Sequence, residues 1–390
     1  MLFENYQVFE RKIISKIDRF KLNTIEENEI SNDLNDSSIL ILGAAGSIGS
    51  VFTKKISNYK FKKLILLDKN ENDLTELNRD LILEFSLDKI KKMRFICSDI
   101  TIFNINNIIK QNSVTHLLNF SALKHVRSEE EIDSVKYMLS TNSDSFFNFK
   151  RNEKNSLKKI FSVSTDKSVN PSSILGISKF LMEQKLAEIK IFKKRIFVST
   201  TRFANVSFSN GSILKNIIDK IRRKKTFGIP SKIKRYYITH EEACSLCFKA
   251  LLRKNDGCII IPSQNILKSQ KTIKKLCEEI FKLMKIKVKF FKKETKNIQP
   301  TNKLYPVSIS DGVNHGQKVK EKLFYDDEEI LKDNEDKSIL KIKLEYRINY
   351  KKVLGLMLKS NSLKNLKKII KKNIKSYKPL NSPKKISQTM

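Results

Sequence analysis

From Ser38 onward, short apolar runs alternate with longer stretches in which apolar residues recur every three or four positions, the pattern of strands alternating with helices. Candidate strands are Ile39–Leu42, Leu64–Leu67, Arg94–Cys97, His116–Phe120, Ile160–Val163 and Arg195–Thr201. Strands separated by helices predict an α/β fold, a doubly wound parallel sheet, followed by a smaller C-terminal α/β region. After Arg202 the alternation turns irregular, with helices near Ile213–Arg223, Glu241–Leu252 and Thr272–Met284 and one short strand, Cys258–Ile261. Residues 1–37 read as a helical segment and polar linker, and Tyr346 to Tyr377 as one or two peripheral helices. The divisions expected are therefore 1–37, 38–205, 206–330, with some of its segments able to return to the main sheet, and a basic helical extension at 331–390.

A chain of 390 residues with 40% hydrophobic content can bury a large core. No run of about 18 uncharged apolar residues occurs, and Met1-Leu-Phe-Glu-Asn-Tyr lacks the order of a signal peptide, so a soluble cytoplasmic protein without a transmembrane segment is expected. The five cysteines, Cys97, Cys244, Cys247, Cys258 and Cys277, are scattered and odd in number, which argues against a disulfide framework. Cys244 and Cys247 fall in an amphipathic helical pattern with no second pair, so packed thiols are expected there and no metal site. The net charge of +35 invites a nucleic-acid reading. Its lysines are spread along the whole chain, however, and the densest run, Lys364 to Lys378, carries an apolar stripe of Leu366, Ile369, Ile370 and Ile374. A solvated helix face, without a specific nucleic-acid partner, is the reading adopted.

Two segments carry chemistry. Ile39 to Ser50 runs from a strand through Gly43, Ala45, Gly46, Ser47, Ile48 and Gly49 into a helix, the arrangement that lets backbone N–H groups and a helix N-terminus meet a pyrophosphate. Asp68 ends the next strand 19 positions after Gly49, near the spacing expected of a ribose-binding carboxylate. This makes 38–205 an NAD(P)-binding Rossmann domain. Asp68 favours NAD, and Lys69 beside it keeps NADP open. Asp99 is placed either to accept from an adenine amino group or as an ordinary turn aspartate; Ile100, Ser121, Ala122 and Lys124 complete the expected cofactor contacts.

The second segment, Phe161 to Lys179, brings Ser164, Thr165, Asp166 and Lys167 to the carboxyl end of a strand and Lys179 to the following helix, where ligands sit in an open α/β sheet. A hydroxyl, a carboxylate and two lysines at one strand end are the parts for moving protons. Lys167 must be partly neutral to act as a base, and desolvation with a nearby Lys179 charge is expected to lower its pKa.

With these residues in view, the chain resembles the polysaccharide-biosynthesis branch of extended short-chain dehydrogenases, the nucleotide-sugar 4,6-dehydratases and epimerases acting on UDP-N-acetylglucosamine. The resemblance covers roughly residues 18–380. It rests on Gly43 to Ser50 (GAxGSIGS in the family), Ser121 to Val126 (AAxKHV), Ser164 to Pro171 (STDKAVNP), Arg202 to Val206 (RFGNV) and Ser209 to Ser212 (SxGS). Arg235 to Ala243 resembles RFFMTxxEA, Gly316-Gln-Lys318 with Glu321, Leu323 and Phe324 a weakened PGEKLYEEL, and Ser376 to Pro379 the closing Y-x-P. The chain departs from the family at Leu175, where short-chain dehydrogenases carry a tyrosine and a subset of this family a methionine, at Asn119 in place of histidine and at Arg127 in place of proline.

The resemblance implies a bound, regenerated NAD or NADP, a UDP-sugar substrate and a homo-oligomer. It implies that Asp166 protonates the departing 6-hydroxyl, Lys167 takes the proton at carbon 5, Thr165 bonds the 4-oxygen and Lys179 holds the nicotinamide ribose. Lys124, His125, Asn205, Ser212 and Arg235 are implied on the substrate side, with Asn205 and Arg235 at the diphosphate. The activity implied is UDP-N-acetylhexosamine 4,6-dehydration; 4-epimerisation of the same sugar nucleotide and an inactive nucleotide-sugar binder are the alternatives.

Overall fold

The computed structural model describes residues 6–124, 129–146, 156–266, 270–292, 300–301, 304–310, 321–331 and 335–379. The six expected strands are all present: β1 Ser38–Leu42, β2 Lys63–Asp68, β3 Met93–Cys97, β4 His116–Asn119, β5 Lys159–Thr165 and β6 Phe197–Phe203. They pair in parallel in the order β3-β2-β1-β4-β5-β6. Every residue of β1 and β4 is buried, because helices cover both faces; this is why these strands read as continuous apolar runs rather than alternating ones. The strand order reverses between β1 and β4, and the crevice at their carboxyl ends is where such sheets hold ligands.

The sheet continues beyond β6. Cys258–Pro262 pairs in parallel with β6, and Ile339–Lys343 and Ile330–Leu331 add antiparallel, so that the described residues form nine strands in one sheet. Cys258–Pro262 is buried at every position, which an interior strand of the large sheet accommodates. The stretch after 330, expected to be helical, thus opens with a strand. The three-stranded parallel sheet of Phe227–Pro230, Leu304–Ser310 and Lys287–Phe291 stands apart, and the helices Ile213–Arg222 and Ile273–Leu283 pack on it through Leu214, Ile218, Leu276 and Ile280. Phe9 and Ile13 from the N-terminal segment join that same cluster.

The helices Tyr350–Leu358 and Leu363–Asn373 are less peripheral than expected. They bury Val353, Leu354, Met357, Leu366 and Ile370 against Ile174, Ile177 and Leu181 of the long helix Ile174–Phe192, while Lys364, Lys367, Lys368, Lys371 and Lys372 face solvent. Cys244 and Cys247 are buried on the helix His240–Leu251, where burial pushes both thiols up, Cys244 to about 12. No helix among the described residues is long and apolar enough to cross a membrane, and no group of three His, Cys, Asp or Glu among them is placed to hold a metal ion.

One polar contact runs through this apolar frame. Arg202, 1% exposed on β6, donates through Nε and Nη2 to Glu183 of the long helix at 2.8 and 2.7 Å, and through both terminal nitrogens to Glu328 at 2.8 Å. Glu183 Oε1 also accepts from Ser164 and Ser168 at the end of β5. Burial opposes the guanidinium charge, but the two carboxylates outweigh it and hold the Arg202 pKa above its ordinary value. Removing one partner strands the other charge in a dry site. Glu183→Ala is expected to cost about 3–5 kcal/mol in chemical denaturation; a loss under about 1 kcal/mol would show that the contact does not hold these elements together.

Candidate active site

The glycine turn and the end of β5 meet at the crevice. Gly43 has φ of +72°, and a Cβ on Gly49 would stand 2.0 Å from the Gly43 carbonyl oxygen, so both positions require glycine and the turn leads tightly into the helix Ser47–Ile56. Asp68, 9% exposed at the end of β2, accepts from Ala45 N at 2.9 Å and from Asn70 N at 3.0 Å. The carboxylate expected at a ribose therefore also braces the glycine turn. Ser47 Oγ accepts from Asn210 N at 3.0 Å, tying the turn to the loop ahead of the helix Ile213–Arg222.

The remaining expected cofactor residues lie along the same edge. Asp99 accepts from Thr101 N and Oγ1 at 2.8 Å and from the Tyr137 hydroxyl, bonds that outweigh burial and hold its carboxyl below the usual range. Those bonds give Asp99 structural partners in its own turn and on the helix Ile132–Leu139. Lys69 Nζ donates to Tyr137 at 3.1 Å, Ile100 is buried, and Ser121 N donates to Asn119 at 3.0 Å, with Ala122 exposed next to it. Lys124, exposed over much of its length, reaches Ser209 Oγ at 3.5 Å; partial desolvation of its ammonium there, then the charges of Lys215 and Lys167, lower its pKa to about 8.

β5 delivers the acid and base residues. Thr165 caps the short turn Asp166–Ser168 and donates to Asp166 Oδ1 at 2.9 Å; Lys167 Nζ donates to the same oxygen at 3.1 Å. Asp166 is 2% exposed. A Cβ on Gly176 would meet the Lys167 carbonyl oxygen at 2.3 Å, so the long helix lies directly against this turn. From that helix Lys179, 5% exposed, donates to the Val163 carbonyl of β5 at 2.9 Å. Leu175, one turn earlier, is buried and brings no polar group.

The two lysines differ from the expectation. Burial lowers Lys179 to about 8, with Glu183 opposing. For Lys167 burial also pulls downward, but the Asp166 and Glu321 carboxylates outweigh it, and its pKa lies above the ordinary value. The depressed lysine is thus Lys179, and Lys167 is held as an ammonium.

The substrate-side residues converge only in part. Asn205 Nδ2 donates to Glu321 Oε1 at 2.7 Å and to the Tyr236 carbonyl at 3.1 Å, and Arg235 Nε lies 3.2 Å from Glu321 Oε1. Ser212 caps the helix Ile213–Arg222, accepting from Lys215 N at 3.3 Å. His125 and the Gly316–Lys318 motif lie outside the described residues. Sequence reasoning quoted Glu321 only as part of a weakened motif and passed over Glu183. The signal for Glu183 was there: it follows Lys179 by four on a helix whose other neighbours on that face are apolar.

As a set, these residues offer a carboxylate and an ammonium sharing one hydrogen bond at a strand end, a lysine of lowered pKa one turn away, and a second carboxylate beside an arginine. Such a constellation can give, take and store protons next to a dinucleotide-shaped turn.

The chain is 26% identical over 302 residues to the capsular polysaccharide biosynthesis protein CapD of Staphylococcus aureus, covering 76% of this chain but 49% of CapD, about half of its length. It is 26% identical over 245 residues to an inverting UDP-N-acetylglucosamine 4,6-dehydratase of Campylobacter jejuni, covering 58% of this chain and 67% of that one. Among solved structures, Pen from Bacillus thuringiensis superposes with a TM-score of 0.58 at 17% identity over 80% of this chain and 87% of Pen, a likeness of fold. The sequence profile described as polysaccharide biosynthesis protein matches residues 39–343, and the chain belongs to that family, with the Rossmann-type fold of the extended short-chain dehydrogenases.

Proposed function

We propose that this chain is an NAD(P)-dependent 4,6-dehydratase of a UDP-N-acetylhexosamine, serving surface polysaccharide synthesis. The observation that carries the reading is the Asp166–Lys167 pair, joined at 3.1 Å at the end of β5 beside the Asn205, Arg235 and Glu321 cluster. The dehydratase relative at 26% identity supports the same substrate class.

The residues present fit a dinucleotide. A side chain at Gly49 would collide with the Gly43 carbonyl, so the turn runs straight into the helix Ser47–Ile56, whereas a Cβ on Gly46 would meet only that carbonyl oxygen, at 3.4 Å, leaving the backbone of the turn open for a phosphate to approach at the helix N-terminus. Asp68 and Lys69 at the end of β2 would hold the adenosine ribose, and Lys179 the nicotinamide ribose. When bound, the nicotinamide supplies hydride removal at carbon 4 of the sugar and hydride return at carbon 6.

Asp166 and Lys167 supply the proton steps. Since Leu175 has no proton to exchange, the 4-hydroxyl proton goes to the Asp166 carboxylate. Protonated, Asp166 no longer holds Lys167 as an ammonium, and Lys167, its side chain 39% exposed, releases a proton to solvent and takes the carbon 5 proton, acidified by the 4-ketone. Asp166 passes its own proton to the 6-hydroxyl, which leaves as water; Lys167 then returns a proton to carbon 5 as hydride reaches carbon 6. Thr165 donates to the 4-oxygen. Arg235 and Asn205 hold the diphosphate, with the bidentate fork suited to it. Exchange of the carbon 5 proton on Lys167 follows from this route. The 4-epimerase alternative needs no acid at carbon 6 and no base at carbon 5, and leaves Lys167 without a task.

Incubation of UDP-N-acetylglucosamine with the protein and NAD or NADP should give a product lighter by one water in mass spectrometry, with solvent deuterium at carbon 5. An unchanged mass would overturn the dehydratase reading. Asp166→Asn should lower water loss at least about 100-fold, the scale of a general acid, while equilibrium dialysis against NAD gives an unaltered affinity; a variant with near wild-type turnover would remove Asp166 from the acid role.

A further inference from the structure

The end of the chain concentrates charge as the rest does not. From Tyr346 to Met390 there are twelve lysines and one arginine, Arg347, with no aspartate or glutamate, so thirteen of the net +35 charges fall in the last 45 residues. The helices Tyr350–Leu358 and Leu363–Asn373 array these charges on one side. On the second helix Lys364, Lys367, Lys368, Lys371 and Lys372 follow the three-and-four spacing of a single face and are exposed, while Leu366 and Ile370 on the opposite side are buried in the cluster around the long helix. On the first, Lys352 and Lys359 are exposed along one stripe with Leu356 between them. The pair is fixed in place: Lys378 N donates to the Pro171 carbonyl at 2.9 Å, beside the turn that follows β5. Two charges at its root are answered, Arg347 by Asp327 and Glu345 at 3.1 Å and Lys351 by Glu188 at 3.0 Å. The five outward lysines of the second helix have no carboxylate within ion-pair distance among the described residues. Instead Lys364 and Lys368, Lys367 and Lys371, and Lys368 and Lys372 stand four apart, like-charge neighbours that weaken a helix. The five lie along about 12 Å of helix axis, close to the Debye length at about 0.1 M salt, so their fields add.

We propose that this lysine face is a docking surface for a bilayer rich in anionic phospholipid, and that it holds the protein peripherally and reversibly at a membrane. Charge complementarity names an anionic partner, and the form of the face narrows it. Nucleic acids are gripped by arginine forks, by exposed aromatic rings or by a groove that follows their backbone. Arg347 is the last arginine of the chain and is committed to carboxylates, Tyr350 is buried and Tyr377 half-buried, and the lysines stand on the outside of a helix pair. Point charges spread over such a face suit a plane of mobile headgroups, where each lysine adds about fivefold to partitioning. Leu356, 42% exposed, offers one apolar contact at headgroup depth between Lys352 and Lys359. The apolar sides of both helices are already buried in the protein, so neither helix inserts. The attraction is therefore electrostatic, and salt weakens it.

Flotation of the full chain with vesicles measures this without substrate, so the result stands or falls apart from the dehydratase reading. At about 0.1 M salt the protein should float with vesicles of phosphatidylglycerol mixed with phosphatidylcholine, stay behind with phosphatidylcholine alone, and be released as salt rises. Changing Lys367, Lys368, Lys371 and Lys372 together to glutamine should lower partitioning at least about tenfold. Glutamine keeps the helix propensity and removes the repulsion, so this variant should melt no lower than the wild type, which a thermal scan checks. The same loss of four charges at Lys282, Lys285, Lys287 and Lys289, exposed lysines around the helix Ile273–Leu283 and the strand Lys287–Phe291, should change partitioning by less than about twofold. Absence of binding to the anionic vesicles would overturn the proposal, and so would an equal loss in the two variants, which would assign the attraction to net charge alone. Duplex DNA bound more tightly than the vesicles at equal phosphate concentration, with that affinity lost in the first variant, would overturn it in favour of a nucleic-acid surface.

Discussion

One guanidinium orders this molecule. Arg202 lies between Glu183 and Glu328 with four short bonds, and each carboxylate belongs to a different element: the long helix Ile174–Phe192 and the segment after residue 320. Because an isolated charge at such burial costs several kcal/mol, the three groups must meet or none can be buried. Their meeting sets the register of the helix against β5, through Ser164 and Ser168 on Glu183, and so the height at which Lys179 reaches the Val163 carbonyl. It also draws the late segment over the sheet end, with Tyr325 bonding the Ser168 carbonyl at 2.7 Å, and delivers Glu321 to Asn205 and Arg235.

The same segment explains why two lysines near one strand end titrate in opposite directions. Lys179 is 5% exposed, whereas the Lys167 side chain keeps 39% of its surface in contact with solvent. Lys179 faces a backbone carbonyl, and the carboxylate opposing its desolvation, Glu183, is already committed to Arg202. Lys167 faces Asp166 directly, and the Glu321 charge favours its ammonium as well. A dipole repays less of the desolvation than a full charge, so burial wins at one lysine and Coulomb attraction at the other.

Much of this was legible in the sequence. The middle of the sheet stood out because β1, β2 and β4 are buried on both faces and so are nearly continuous in apolar residues, and the glycine turn because two of its glycines have no room for a Cβ. Asp166, Lys167 and Lys179 were readable because they follow one another within a single strand, turn and helix. What local pattern could not carry was partnership across the chain. Glu183 with Arg202 and Glu328, and Asn205 with Glu321, join positions 19 to 126 residues apart, and in a chain with 77 basic residues no single pairing stands out. For the same reason the antiparallel strand Ile339–Lys343, two of whose five residues are lysines, read as part of a charged extension rather than as a sheet strand.

The central claim is that hydrogen leaves and returns to the same sugar while Asp166 and Lys167 manage the protons around it. It is tested most directly with UDP-N-acetylglucosamine carrying deuterium at carbon 4, the product being examined by NMR. The account predicts that the label reappears at carbon 6 of a 4-keto-6-deoxy product. Label remaining at carbon 4 of an unreduced sugar, or washed out into solvent, would contradict it.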